Sequence, residues 1–430
     1  MAEVVAFAEI RLWGRTVGGV VELDDGQVVF EYDPGFQTSG LEISPLHLPL
    51  STEGPVRFEE LVRKRGFRGL PGVLADALPD AFGKTVIRAY FTSRGEVDKA
   101  FSPVQHLLYV GDRAIGALAF EPAEELPGRA AEAEALEIAE LVADARRIIA
   151  GDPDVTIPEI YRIGSSAGGQ RPKAVVLHDP ARDEVRSAFA GAQPGDVPSI
   201  LKFDGVGDGS GERRLGEPQP YNRVEAAYAR MARAAGLDVV DVSVLESAAG
   251  HAHLLIPRFD LTEDGPLHQH TLGGLLHVDY HEPGASSYEE YLRTMLTLGM
   301  PPAALVEGYR RMVFNVLSVN QDDHVKNLSF HMDRTGAWSL APAYDLTFAR
   351  GRGWTSTHQM RVADKRSGIT HRDLVEVGRT FGIRAPSRII EEVREAVSRW
   401  PELARDEAVP PEVMRRIEEA LRERGEETAG

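Results

Sequence analysis

The chain contains 0 cysteines in 430 residues. That absence removes disulfides, thiolate nucleophiles and cysteine-based zinc sites together, and it fits a reducing compartment. Positive charge is also short. Against 66 Asp and Glu stand 48 Lys and Arg, a formal net charge of −18, so unassisted binding to nucleic-acid phosphate is disfavoured. No helix-turn-helix signature and no ribbon of aromatic and basic residues supplies a specific nucleic-acid reader. Long apolar runs are missing as well. No stretch reaches the ~20 apolar residues of a membrane-spanning helix, and the opening "MAEVVAFAEIRLWGR" carries an acid where a signal peptide needs positive charge. The expectation is a cytoplasmic protein with no membrane partner. What is present, 43% hydrophobic and 27% charged residues, suits a globular chain long enough for two or three domains.

Residues 4–50 read as β-rich: "EIRLWGRTVGGVVEL" and "GQVVFEYD" are apolar, β-branched runs separated by Asp-Asp-Gly, a hairpin signal. "FRGLPGVLADALPDAFGKTVIRAYF" follows as a more helical part with short elements packed under loops. Residues 121–151 turn acidic and Ala-rich, then carry Leu136, Ile138, Leu141, Val142, Ala145 and Ile149 at roughly helical spacing, which predicts a polar linker entering an amphipathic helix. "KAVVLHD", "SILKFDG", "DVSVLES" and "AHLLIPRFD" read as strands, and "EPQPYNRVEAAYARMARAAG" as a helix stopped by Gly236. From about 287 the pattern is mostly helical: "SSYEEYLRTMLTLG", then 303–319, then three segments after 371. The expected divisions are 1–125, 126–260 and 261–430.

The densest chemistry follows the 303–319 helix, in "NQDDHVKNLSF" at 320–330. Asp322 and Asn327 are separated by four residues. A phosphoryl-transfer loop needs such a pair, one carboxylate beside the attacking hydroxyl and an oxygen ligand for Mg²⁺. Asp345, after the strand-like "LAPAY", supplies a second metal carboxylate. His324 and Lys326 are placed to balance developing charge. Asp323 reads as a solvated bystander. Alone, Asp-x-x-x-x-Asn is a weak signal, and a polar turn between a helix and a strand explains it at about two to one. A His-Asp-Asp metal-hydrolase reading lacks a second histidine at ligand spacing. His251 and His253, in a strand-like stretch, and His268 and His270, in a loop, read as structural or solvated.

Upstream residues change those odds. Lys202 sits within the strand "SILKFDG", where a lysine is usually a snorkelling edge residue but in a kinase reaches nucleotide phosphate. Glu225, on the next helix, is its natural partner. Two glycine-rich stretches compete as phosphate cradle, "GSSAGGQRPK" (164–173) before the lysine and "GVGDGSGERR" (205–214) after it. The first has the right chain order and lets backbone N–H groups approach phosphate; the second reads as a strand-to-helix loop. The order glycine loop, strand Lys, helix Glu, Asp-x₄-Asn, second Asp is hard to obtain by chance, and it decides for a kinase.

These motifs resemble the HipA toxin kinases of bacterial type II toxin–antitoxin modules. "LWGRTVGGVVEL" and "GLPGVLADALPDAFG" resemble the family's N-terminal domain, and "GSSAGGQRPKAVV", "LKFDG", "IPRFD", "NQDDHVKNLSF" and "LAPAYDL" successive motifs of its kinase core. The resemblance implies an α+β chain: an N-terminal β-rich domain, then a two-lobed protein-kinase-like core with a mostly helical C-terminal lobe. It implies ATP and Mg²⁺ as cofactors. Asp322 is then the catalytic base, and Asn327 and Asp345 hold metal. Lys202 contacts phosphate, Ala167, Gly168, Gly169, Gln170 and Arg171 form the phosphate loop, Pro257, Arg258 and Phe259 meet adenine as the hinge, and Tyr344 meets the nucleotide. Ser165, with Ser166 as the alternative, is the implied autophosphorylation site, where a phosphate would repel nucleotide. The implied partners are a separately encoded small helix-turn-helix antitoxin, DNA only through that antitoxin, and a protein substrate such as an aminoacyl-tRNA synthetase. The chain departs from the family pattern at Pro172, which stiffens the loop and removes a donor N–H. A silent kinase-fold corepressor and a small-molecule or lipid kinase are the competing readings.

Overall fold

A computed structural model describes residues 3–124, 142, 145–147, 172–188, 191–206, 218–247 and 250–429. The expected cradle residues Ser165, Ser166 and Ala167 to Arg171, and most of the 205–214 stretch, lie outside them. The chain divides into two units: Met1–Gln219 with Ser243–Gln269 and Arg334–Gly336, and Pro220–Val242 with His270–Asp333 and Ala337–Gly430. The fold is mixed α and β, β-rich at the N-terminal end and helical at the C-terminal end.

The first unit opens with strands β1 (Val4–Leu12), β2 (Arg15–Leu23) and β3 (Val28–Tyr32), joined by β4 (Leu118–Glu121) in the order β3-β2-β1-β4. The first apolar run is thus two strands. The break falls at Trp13 (φ 50°) and Gly14 (φ 79°), the paired positive φ values of a tight hairpin turn. Sequence reasoning misses it because Trp is an unusual residue in the left-handed region. The Asp-Asp-Gly hairpin sits where expected, between β2 and β3.

A second sheet contains β5 (Lys173–Asp179), β6 (Glu184–Ser187), β7 (Val197–Lys202), β8 (Ser243–Glu246) and β9 (Ala252–Pro257), in the order β6-β5-β7-β9-β8. Its neighbours are antiparallel throughout. Helix α1 (Ala81–Ser93) lays Phe82, Val86, Ile87, Tyr90 and Phe91 against Ala174, Val176, Leu201 and Leu255 of this sheet. Val142 and Ala145, two members of the stripe expected over 121–151, are buried in the same core; the rest of that linker and helix lies outside the described residues. Tyr109, from helix α2 (Pro103–Val110), completes a triad of edge-on rings with Tyr90 and Phe91.

The second unit begins with α3 (Tyr221–Ala234), which ends before Gly236 at φ 79°, the expected stop. Then come α4 (Tyr288–Thr297), started by a capping box between Ser287 and Glu290, and α5 (Pro302–Leu317). Tyr309, Met312, Val313, Phe314 and Val316 of α5 are fully buried, so the helix expected over 303–319 is a core element. The hairpin β10 (Ser329–Met332) and β11 (Trp338–Leu340) follows. Four helices rather than three follow residue 371: α6 (His371–Thr380), α7 (Pro386–Ser398), α8 (Trp400–Asp406) and α9 (Pro411–Ala429). Trp400 starts a separate short helix, and its fully buried ring meets Tyr228 of α3 edge-on at 5.4 Å. His268 and His270 are likewise not in a loop. They belong to a short strand, His268–Thr271, and are fully buried, with His268 Nε2 2.9 Å from the Ile43 carbonyl.

Candidate active site

In the second unit, α5 delivers a loop whose backbone is tightly prescribed. Val319, just past the helix, has φ 56°, a strained value for a β-branched residue. Two backbone bonds hold it there: Ala349 N–H donates to the Val319 carbonyl (3.1 Å), and Gln321 N–H to the Ala349 carbonyl (3.0 Å). The helix is wired to the loop by side chains as well. Asn320 Nδ2 donates to Asn315 Oδ1 (2.9 Å), Asn315 Nδ2 to the Tyr288 hydroxyl (2.8 Å), and that hydroxyl to Asp323 Oδ2 (3.0 Å).

Asp323 is therefore not a solvated bystander. It is 2% exposed and receives His358 Nδ1 on Oδ2 (2.9 Å) and the Gln359 N–H on Oδ1 (2.7 Å) in addition to Tyr288. A buried carboxylate requires such donors, and they arrive from residues more than thirty positions away, which local sequence cannot reveal.

Asp322 is half-buried. Burial pushes its carboxyl above the ordinary carboxylate range. His324 and the Trp354 indole N–H pull it back, while the charges of Asp345 and Asp323 push it further up. Trp354 Nε1 donates to Asp322 Oδ1 at 2.7 Å. Asn327, in a 3₁₀ turn over Val325–Asn327, donates its amide nitrogen to the Asp322 carbonyl (3.1 Å). That bond engages the amide nitrogen and not the amide oxygen.

Asp345 follows β11, which ends at Leu340 rather than running through "LAPAY". Its φ of 57° is a left-handed conformation that a short polar residue tolerates better than most. Next to it, the Tyr344 hydroxyl donates to the Lys326 carbonyl (2.7 Å) and lies 2.6 Å from Ser329 Oγ. That hydroxyl ties the Asp345 segment to the Asn327 loop. His324 and Lys326 both meet Tyr280, with ring centroids 5.3 Å apart for the histidine and the ammonium 5.6 Å from the ring centre. His324 Nδ1 is buried with no hydrogen-bond partner. Among the described residues no three His, Asp or Glu side chains gather to hold a metal. One Asp carboxylate and one Asn oxygen nevertheless fit Mg²⁺, which keeps waters and takes phosphate oxygens for its remaining ligands. Glu225 is buried within α3 of this unit.

In the first unit, Lys202 closes β7. That strand is central, not an edge, and Lys202 is buried, paired across the sheet with Lys173 of β5 and Leu254 of β9. Asp80 approaches Lys173, with Oδ2 3.5 Å from Nζ, while its Oδ1 caps α1 by accepting the Gly83 N–H (2.6 Å). Burial lifts the Asp80 carboxyl to about 6 even though Lys173 pulls it down. Desolvation wins, as it commonly does for buried pairs. Asp80→Asn and Lys173→Met are each expected to destabilise the protein, and the double variant by less than the sum. Denaturant melts of the four proteins should give a coupling of about 1–3 kcal/mol; strict additivity would refute the contact.

Downstream, Asp204 anchors both ends of the chain leaving β7. Its carboxylate accepts Gly205 and Gln219 N–H groups on Oδ1 and Ala252 N–H on Oδ2, and its own N–H donates to His253 Nδ1. Burial holds His253 down to about 4, so it accepts as the neutral ring, the structural role expected of it. At the expected hinge, the Arg258 N–H donates to the Pro198 carbonyl (2.8 Å). The Arg258 guanidinium binds Asp260 (Nε to Oδ1, 3.0 Å) and the Ala114 carbonyl (3.3 Å). The backbone N–H of Arg258 is thus held by β7 and its guanidinium by Asp260 and Ala114.

Comparison with known proteins identifies the family. Residues 8–121 match the HipA N-terminal domain, and residues 165–400, more than half the chain, the HipA-like C-terminal domain. A candidate kinase of Sinorhizobium fredii, Y4dM, is 27% identical over 356 residues, 80% of this chain and 77% of that protein. A candidate kinase of Haemophilus influenzae is 30% identical over 178 residues, 37% of this chain and 52% of that protein. The fold matches Shewanella oneidensis HipA, solved with HipB and operator DNA, at a TM-score of 0.67 and 19% identity, covering 97% of this chain and 96% of that one. The chain belongs to the HipA family, with the family's N-terminal domain followed by its kinase-like C-terminal domain.

Proposed function

We propose that this protein is an ATP- and Mg²⁺-dependent serine/threonine kinase acting as the toxin of a toxin–antitoxin module. The observation that carries the reading is the Asn327 bond to the Asp322 carbonyl. It engages the Asn327 amide nitrogen and leaves the amide oxygen as the candidate metal ligand, next to a carboxylate that burial holds above its ordinary range. In this assignment Asp322 accepts the proton of a substrate hydroxyl as its oxygen attacks the γ-phosphorus, and the phosphorus–oxygen bond to ADP breaks. Asn327 and Asp345 hold the metal, which when bound offsets phosphate charge. Lys202 takes the ATP phosphates, and His324 and Lys326, steadied by Tyr280, face the transferred group. Ser165, or Ser166 beside it, is the self-phosphorylation site that silences the enzyme.

The partner in this reading is a separately encoded DNA-binding antitoxin, by analogy with the HipA–HipB–DNA assembly of the Shewanella protein. The net charge of −18 agrees with DNA reached only through such a partner. Controlled expression in bacteria tests the role. Growth should stop, and co-expression of a helix-turn-helix protein encoded beside the gene, or the change Asp322→Asn, should restore it. Arrest that persists in Asp322→Asn, or no arrest at all, would remove the toxin assignment.

A further inference from the structure

We propose that Trp354 is a positioning residue that sets the orientation of the Asp322 carboxylate for proton acceptance. The inference rests on the kinase reading above and adds to it a residue from outside the kinase motifs. Trp354 lies in the turn Gly353–Ser356, between Asp345 and α6. Its indole N–H meets Asp322 Oδ1 at 2.7 Å, a short bond from a neutral donor to a carboxylate. Indole nitrogen only donates, so this contact orients the base without competing for its proton.

The segment carrying the indole is fixed to the same loop by further bonds on both sides of Asp322. Gln359 Nε2 donates to the carbonyls of Gln321 (3.1 Å) and Trp354 (2.6 Å). The Gln359 N–H and His358 Nδ1 hold Asp323. Residues 321, 322 and 323 are thus each bound by the 354–359 stretch. The terminal torsion of an aspartate is broad and roughly two-fold, so a single firm donor decides which oxygen faces the reaction. With Oδ1 on the indole, Oδ2 is the oxygen presented to the substrate hydroxyl. Trp354 itself is only half-buried, so packing alone gives little reason for so large an aromatic there.

The change Trp354→Phe keeps a ring and removes the donor. With Mg²⁺-ATP and a phosphoacceptor protein, kcat should fall about tenfold, in line with misoriented reacting groups. KM for ATP should stay within about twofold and the melting temperature should be unchanged. Wild-type kcat in Trp354→Phe would overturn the inference, since the ring would then be packing only. A raised kcat would overturn it too, because the indole would then obstruct the base. Asp322→Asn in the same assay separates the two levels. If wild type is active and Asp322→Asn is not, the kinase reading stands whatever Trp354→Phe does. If wild type transfers no phosphate, that reading falls with this one.

Discussion

Asp322→Asn is expected to lower phosphoryl transfer by about 10²–10⁴-fold, the usual worth of a positioned general base, while leaving ATP affinity and the fold intact. The amide is isosteric and can still receive the Trp354 indole N–H on its oxygen, and Asn327 binds the backbone carbonyl rather than the side chain. Replacing a charged, desolvated carboxylate with a neutral group also relieves the repulsion from Asp345 and Asp323, so stability should hold or rise. Single-turnover kinetics with saturating Mg²⁺-ATP read the rate, and equilibrium titration reads the affinity. A variant that loses ATP binding in proportion to its rate would move Asp322 from proton acceptance to nucleotide binding.

Asp323→Ala should do the opposite, costing stability first. The side chain is 2% exposed and satisfies three donors: the Tyr288 hydroxyl, His358 Nδ1 and the Gln359 N–H. Truncation leaves all three buried without an acceptor and opens a small cavity, a loss on the order of 4 kcal/mol in a denaturant melt. Because Tyr288 is chained through Asn315 to Asn320, the loop bearing Asp322 should loosen as well, and activity should fall with stability. A cost below about 1 kcal/mol would mean that the network is replaceable by water. Two adjacent aspartates thus differ: Asp322 is half-buried, and its neighbour is buried within the network that holds the loop.

The sequence made the elements legible where periodicity and punctuation agree. β5 is "KAVVLHD" residue for residue, and α3 ends at Ala234, with Ala235 as its cap and Gly236 next. It was misleading where one residue had to do something unusual for its type. Trp13 at positive φ hides a turn inside an apparent single strand, and His268 and His270 look polar but are buried in one. The candidate site divides in the same way. Asp322 and Asn327 are read from spacing because their relationship is local, within one loop and one 3₁₀ turn. Asp323, Trp354, His358 and Tyr280 carry no signal of their own. Their meaning comes from hydrogen bonds and ring contacts across long chain separations, which only the fold creates. Arg258 and Tyr344 show the converse. The family resemblance implies ligand contacts for them, and side-chain hydrogen bonds of both run to the protein itself.

Transfer of the ATP γ-phosphate to a protein hydroxyl is tested most directly by one measurement. The purified full chain is incubated with Mg²⁺ and γ-labelled ATP, alone and with a bacterial lysate, and labelled proteins are hydrolysed to their phosphoamino acids. Phosphoserine or phosphothreonine on protein is the expected result, dependent on Mg²⁺ and absent with Asp322→Asn. Label that stays on ATP, or appears only as inorganic phosphate or on a small molecule, would contradict it.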